Sequence, residues 1–423
     1  MKKRVLVVPA GTEIAHEVIE SLRFSKYWDV YGGNSVKDHS EILLNDKCHF
    51  VPFVVDPNFV SAVQELVTKL DIDFVIPAHD EALFRLAGRI DGAIVAGPSP
   101  ELGEILKLKS STIAKLRGVV PAPQIYAPGE EKFPVFCKPD RGQGSRGIRI
   151  VHDSDELDQI RATDSNLIVQ ELLTGEEVTV DCFSDPSSRV LFASARSRVR
   201  TTGGISVRSR QVGDAEFPHL ASKISEALHL TGAWFFQMKK NADGHYKLLE
   251  VANRIAGSSG FQRVRGVNFM DAWLHQLSGQ DVKFQTLSKF DFVYDRALYV
   301  KTIVQSRINA LYVDFDDTLI IDGSIVNHRL IGILFGAKYN KRKKIVLLTR
   351  HDGIVEEKLV HFGLSSLFDE IIHLKKGEMK SNSVEGADAI FIDDSYRERA
   401  DVAEKCGAIA IGPESLDLVE GIL

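Results

Sequence analysis

The chain has 423 residues, 44% hydrophobic and 26% charged, enough apolar material for a large core in two or three globular units. A net charge of -6 argues against a general nucleic-acid binder, which carries a clear basic excess. Cys48, Cys137, Cys182 and Cys406 form no C-x-x-C pair, so neither a zinc knuckle nor a disulfide framework is indicated and a reducing cytoplasm is the expected setting.

The opening "MKKRVLVVPAG" enters a strand at once, with no apolar h-region and no small-residue cleavage site, so no signal peptide is expected. No segment reaches the roughly 18 uncharged apolar residues of a membrane span. Over the first hundred residues, short apolar runs ("RVLVVPA", "WDVYGG", "DFVIPA", "AIVAG") alternate with helical patterns ("AHEVIESL", "FVSAVQELVTKL", "EALFRLAGRI"). That rhythm predicts a parallel sheet with crossover helices. The loop Pro9 to Glu13 lacks G-x-G-x-x-G and reads as a structural turn.

From about Pro134 the texture becomes β-rich with glycine turns. In "FPVFCKPDRGQGSRGIRIV" a strand carries Lys138 into a loop with Gly142, Gly144, Ser145 and Gly147. Glycines let backbone N–H groups approach an anion, and a lysine adds a point charge, so the loop suits phosphates; a plain hairpin tip is the alternative. "LIVQELLTGEEVTVD" places Gln170 and Glu171 at a strand end, then Leu172, Leu173 and Glu177. Those residues offer an adenine its polar edge and apolar walls, and a ribose its carboxylate. Arg196, Arg198 and Arg200 alternate along one strand face, Arg208 and Arg210 follow the turn at Gly203 and Gly204, and no acid occurs from Pro186 to Gly213. This is an anion cradle for phosphates or a substrate carboxylate, or a solvated cationic face. "FFQMKKNADGHYKLLEVANRI" sets Gln237 and Glu250 on two strands of a hairpin, oxygen ligands suited to Mg²⁺ if both face one side, with Arg254 in reach of a transferring phosphoryl group.

In this order the pieces resemble the ATP-grasp enzymes over residues 1 to about 285. Lys109 of "KSST" is similar to the lysine that opens the family's nucleotide region. Lys138, the loop 141–147, the "QELLTGEE" hinge with Glu177, and the pair Gln237 and Glu250 resemble its phosphate, adenine, ribose and metal positions. Gln237 in place of an acid is similar to the carbamoyl-phosphate synthetase branch, although that enzyme's two copies of the unit are not found here. The family's E-x-N-x-R metal motif reads Glu250, Val251, Ala252, Asn253, Arg254, so alanine takes the second ligand's place and Asn253 stands one position later. The resemblance implies ATP and Mg²⁺ or Mn²⁺ as cofactors, with Arg200 among the nucleotide contacts. It also implies activation of a carboxylate as an acyl phosphate for an amine or other nucleophile, work suited to lysine, arginine and a divalent cation.

Further on, "LYVDFDDTLI" ends a strand in Asp314, Asp316 and Asp317, where mutual repulsion is relieved if Mg²⁺ sits nearby, and positions i and i+2 of an extended strand share a side. "DFDDT" resembles the first motif of the haloacid-dehalogenase (HAD) phosphohydrolases, which implies Asp314 as nucleophile and Asp316 as proton carrier. The resemblance continues with Thr349 of "KIVLLTR" as a phosphoryl-oxygen donor and Lys380 of "KKGEMKS", before Lys376, as counter-charge. It ends with Asp393 and Asp394 of "AIFIDDS" as metal ligands beside Asp314 and Asp316, Asp394 preferred. About thirty residues between Asp314 and Thr349 leave no room for a large cap.

The expected fold is α/β and α+β multidomain: an ATP-grasp fold, made of an N-terminal Rossmann-like unit (1–105) and a two-part ATP-clamping unit (106–285), then a linker (286–308) and a compact Rossmann-like HAD domain with a parallel sheet (309–423). The leading reading is a bifunctional biosynthetic enzyme, a carboxylate-amine ligase joined to a phosphatase acting through an aspartyl phosphate. The alternative keeps the phosphatase and makes the front an ATP-sensing regulatory module; a scaffold reading would leave costly charge clusters unexplained. Expected partners are a small-molecule carboxylate and nucleophile and a phosphorylated metabolite, with no nucleic acid, no membrane and room for a homodimer.

Overall fold

A computed structural model describes residues 2–142, 147–164, 166–213, 215–284, 292–297, 302, 304 and 306–423. The chain divides into two compact units, Met1–Ala297 and Leu298–Leu423. Among the described residues no helix is long and apolar enough to cross a membrane.

The first unit opens with a parallel sheet of β1 (Lys3–Val8), β2 (Trp28–Asn34), β3 (Cys48–Phe50), β4 (Phe74–Pro77) and β5 (Ile94–Val95), in the order β3-β2-β1-β4-β5. The unbroken "VLVV" of β1 follows from burial on both faces. Val5 and Val7 join a core with Val18 and Leu22 of the helix Glu13–Leu22, while Leu6 and Val8 join another with Val63 and Val67 of the helix Phe59–Leu70.

A small antiparallel sheet follows: β6 (Val135–Pro139) lies between β7 (Arg149–Val151) and β8 (Leu167–Glu171). Next comes a six-stranded antiparallel sheet of β9 (Glu177–Ser184), β10 (Val190–Thr202), β11 (Ile205–Gln211), β12 (Gly232–Lys240), β13 (Tyr246–Ala252) and β14 (Val293–Asp295), in the order β13-β12-β9-β10-β11-β14. Strand β14 falls inside the stretch read as a linker and pairs with β11. Val178, Val180, Trp234, Phe236, Met238 and Leu248 pack against Phe217, Leu220 and Ile224 of the helix Glu216–Leu228. Strand alternation therefore turns Glu177, Thr179, Gln237 and Lys239 to the opposite face. On β13 the alternation is broken by one extra residue: Gln237 pairs with Glu250, but Met238 pairs with Leu248. This bulge rotates Glu250 onto the face of Gln237.

The second unit is a parallel sheet of β15 (Ala310–Val313), β18 (Lys344–Thr349), β19 (Glu370–His373), β20 (Ala389–Ile392) and β21 (Ile409–Ile411), in the order β19-β18-β15-β20-β21. The hairpin of β16 (Ile320–Ile321) and β17 (Ile325–Val326) and the helix His328–Phe335 occupy the span between β15 and β18. Leu311, Val313, Leu347 and Ile392 fill one core, and Tyr312, Val346, Leu348 and Phe391 the other. The central position of β15 brings Asp314 beside the ends of β18 and β20, where open parallel sheets place ligands.

Candidate functional site

In the first unit one cavity gathers residues from five separated stretches: Lys109, Lys138 with Gly142, Gln170 with Leu173, Glu177 with Arg198, and Gln237 with Glu250. Lys109 begins the helix Lys109–Lys115, whose start is tied to the end of β6 by Asp140, which accepts from the Ser110 N–H at 2.8 Å and its hydroxyl at 2.5 Å. The lysine Nζ then donates to the Gly142 carbonyl at 2.8 Å. Lys138 is 6% exposed and makes no ion pair among the described residues. Burial, with Lys109 nearby, pushes its pKa down to about 8. Burial also lowers Lys109 and, with Asp80 adding to it, raises Glu250. Gln170 Oε1 is buried without a partner, an acceptor available to a ligand's N–H.

Cross-strand pairing explains the far wall. Glu177 lies opposite Lys239, and Arg198 Nε reaches Glu177 Oε1 at 2.7 Å. An adjoining cavity contains His79, Asp80, Thr112, Glu250, Asn253 and Arg254. There Asp80 pairs with Arg254 through both carboxylate oxygens, at 2.8 Å for Nη2, the bidentate geometry arginine favours. Burial pulls the Asp80 carboxyl upward, but the guanidinium outweighs it and holds the carboxyl below its ordinary range.

In the second unit Lys380 Nζ lies 2.7 Å from Asp314 Oδ1 and 2.6 Å from Asp393 Oδ2, all three side chains being buried. Burial pushes the Asp314 pKa up to about 6, against the pull of Lys380, and also raises Asp393. Asp314, Asp393 and Asp394 each offer a carboxylate oxygen within 4.8 Å of the others. The Asp394 N–H donates to Thr318 Oγ1 at 2.9 Å, which fixes the turn. Thr349 is fully buried at the end of β18. Asp316 stands apart, with both oxygens 2.9 Å from His351 Nδ1. Asp317 has φ +54, accepts from the Asp322 N–H at 2.9 Å and donates its own to the Ile320 carbonyl at 2.8 Å. It serves the turn, since aspartate tolerates that conformation.

Against this geometry stand the comparisons with known proteins. A family described as ATP-grasp in the biosynthetic pathway with Ter operon matches residues 163–296. A D-alanine–D-alanine ligase of Bacillus anthracis is 38% identical over 55 residues, 12% of this chain and 18% of that ligase's length. The biotin carboxylase domain of the Hydrogenobacter thermophilus 2-oxoglutarate carboxylase superposes with a TM-score of 0.57 at 16% identity, covering 67% of this chain and 71% of its own. An L-amino acid ligase of Bacillus licheniformis gives 0.54 at 18%, covering 67% and 75%. The first unit has the ATP-grasp fold.

Within that unit Lys109, Lys138, Gly142, Gln170, Leu173, Glu177, Gln237 and Glu250 line one cavity, and Arg254 and Asn253 line the adjoining one. Gly144 and Ser145 lie outside the described residues. Three expectations are corrected. Arg200 is exposed and pairs with Asp295 at 2.9 Å; the β10–β11 register shifts on either side of it, and Arg198 takes the cavity position. Its neighbour Arg196 is wholly buried against Asp181 at 2.8 Å, so the arginine row is no open cradle. Glu171 lies outside the cavity lining: its N–H donates to the Gln124 carbonyl at 2.9 Å, and its carboxylate accepts from the Gln124 N–H at 3.3 Å. In the second unit Asp316 leaves the acidic group for His351. The sequence left Asp80 and His351 unmarked and named Arg198 only as one of the arginine row. Only "TRH", with a histidine two positions past Thr349, hinted at His351.

Proposed function

We propose that the ATP-grasp domain is an ATP-dependent ligase that phosphorylates a small-molecule carboxylate and passes the acyl group to an amine or other nucleophile. The observation that carries this reading is the excess of cationic over anionic groups in the cavity: Lys109, Lys138, Arg198 and Lys239 face Glu177 and Glu250. Buried Lys138 and half-buried Lys109, both with depressed pKa values, are stabilised by an incoming polyphosphate, which restores their charged form. Gln170 and Leu173 suit an adenine edge and wall, and Glu177 suits ribose hydroxyls.

The opposed Gln237 and Glu250 fit Mg²⁺ or Mn²⁺, since both present oxygen and Glu250 is a half-buried carboxylate beside the lysines. Such an ion would neutralise charge on the transferring phosphoryl group. The carboxylate oxygen attacks the γ-phosphorus, the bond to the β-phosphate bridging oxygen breaks, and ADP leaves. The nucleophile then displaces phosphate from the acyl carbon, giving up a proton. Arg254, held by Asp80, lies beside Glu250 to orient the reacting phosphate. ADP release stimulated by a panel of carboxylates and amines, with products read by mass spectrometry, tests the assignment. ADP formation indifferent to every acceptor would defeat it.

For residues 309–423, within the second unit, we infer a phosphohydrolase, and with it a bifunctional chain. The supporting observation is Lys380 held between Asp314 and Asp393 at the ends of adjacent parallel strands. The oxygen set of Asp314, Asp393 and Asp394 fits a hard divalent cation, which would screen the carboxylates from the substrate's phosphate. Asp314 attacks phosphorus and the ester oxygen leaves, taking a proton from Asp316. Water then attacks the aspartyl phosphate, Asp316 takes the water's proton, and phosphate is released from Asp314. Hydrolysis of a generic phosphate ester that survives in Asp314→Asn would defeat the nucleophile's assignment.

A second reading, a phosphatase governed by an ATP-sensing front, draws on one observation. The Asn253 amide nitrogen is committed to the Thr231 and Ala233 carbonyls, at 2.9 and 3.3 Å, and Ala252 supplies no side-chain oxygen. Under that reading ATP alters ester hydrolysis without being consumed.

A further inference from the structure

One residue of the second unit touches both the proton carrier and the phosphoryl-oxygen donor. His351 follows β18 by two positions, and its backbone N–H donates to Thr349 Oγ1 at 3.2 Å. Its carbonyl accepts from His373 Nε2 at 2.7 Å. Its ring Nδ1 lies 2.9 Å from each oxygen of Asp316, and the ring packs edge-on against Phe315 at 5.0 Å between centroids. The imidazole is largely enclosed, 13% exposed, whereas the Asp316 side chain is 48% exposed.

We propose that His351 is a positioning residue which orients Asp316 for proton transfer and Thr349 for holding a phosphoryl oxygen. The inference rests on the phosphohydrolase reading above and adds a residue to it. An aspartate half in solvent samples several rotamers, and fixing one costs entropy unless a partner holds it. His351 supplies that partner from a site immobilised by its backbone bonds and by Phe315. A single Nδ1–H serves one carboxylate oxygen at a time, which leaves the other to carry the transferred proton. Toward Thr349 the effect is complementary: the hydroxyl oxygen accepts from the His351 N–H, so its own proton is free for an acceptor in the site. Proton transfer by a placed group contributes 10²- to 10⁴-fold on the order of magnitude, provided its geometry is maintained.

The test measures kcat/KM of the full chain with Mg²⁺ on two esters. Phenyl phosphate has a leaving group that needs a proton, whereas dinitrophenyl phosphate releases a stable anion. His351→Ala is expected to lower the phenyl value about 100-fold and the dinitrophenyl value about fivefold or less, because only the first depends on the proton. His351→Asn places an amide N–H near the position of Nδ1 and is expected to recover most of the loss. If the alanine variant melts early, His351→Gln, whose amide reaches past the carboxylate, replaces it. Equal losses on both esters, or no recovery in an Asn variant of unchanged melting temperature, would overturn the proposal and leave the phosphohydrolase standing. A parent chain that cleaves neither ester would overturn the phosphohydrolase reading together with the role of His351.

Discussion

The cavity of the ATP-grasp domain and the acidic cluster of the second unit carry opposite charge balances. In the first, four cationic side chains face two carboxylates; in the second, Lys380 lies between Asp314 and Asp393, and Asp394 completes a group of three carboxylates. Each imbalance lies in a poorly solvated place, where burial first, with a like-charged neighbour adding to it, shifts Lys138 downward and Asp314 upward. The first site is therefore stabilised by an arriving anion and the second by an arriving cation. They differ in construction too. The cavity draws on two sheets and the helix Lys109–Lys115, whereas the cluster centres on the ends of adjacent parallel strands.

The sharpest break of this comparison is Asp314→Asn, expected to lower ester hydrolysis by about 10³-fold or more while leaving ATP affinity intact. Parallel hydrolysis and nucleotide-binding assays would check it, and a joint loss would contradict two separate sites. Next in size is Lys380→Ala. Removing the ammonium leaves Asp314 and Asp393 buried without a counter-charge, expected to cost about 3–5 kcal/mol, read by denaturant unfolding of the full chain. Added Mg²⁺ should restore part of that loss.

On the other side, Lys138→Ala removes the charge proposed to meet a phosphate, and is expected to weaken ATP binding roughly 10- to 100-fold by calorimetry. A subtler version uses pH. With the Lys138 pKa lowered to about 8, its charge is lost as pH rises through that value. ATP favours the charged form, so affinity should fall above about pH 8 and binding near pH 8 should take up a proton, visible as a buffer-dependent heat. Smallest of all, Arg200→Ala should change ATP affinity about twofold or less, since an exposed ion pair contributes little. Arg198→Ala should cost distinctly more, and equal effects would contradict the division between these arginines.

The two sites were unequally legible in the sequence. Asp314, Thr349, Asp393 and Asp394 end or immediately follow apolar runs, so once the strands are recognised their common edge follows from the parallel alternation. Lys109, Lys138 and Glu177 were readable through glycines and charges in family order. Arg198 and Arg200 were indistinguishable, because strict alternation puts both on one face and the register shift around Arg200 depends on its neighbouring strand. Asp80 belongs to a helix start far from Arg254 in sequence, and nothing local marks their pairing. Asp317 looked like a third member of the acidic cluster until its positive φ assigned it to the turn.

By itself the sequence determined the chemistry available and the strand ends that present it, because apolar runs, glycine turns and charged termini are local properties. Tertiary structure decided which of those groups meet: the β13 bulge that sets Glu250 opposite Gln237, the withdrawal of Arg200, and the capture of Asp316 by His351. Register and long-range pairing depend on how separated strands and loops pack, and a change of one residue in register moves a side chain to the other face.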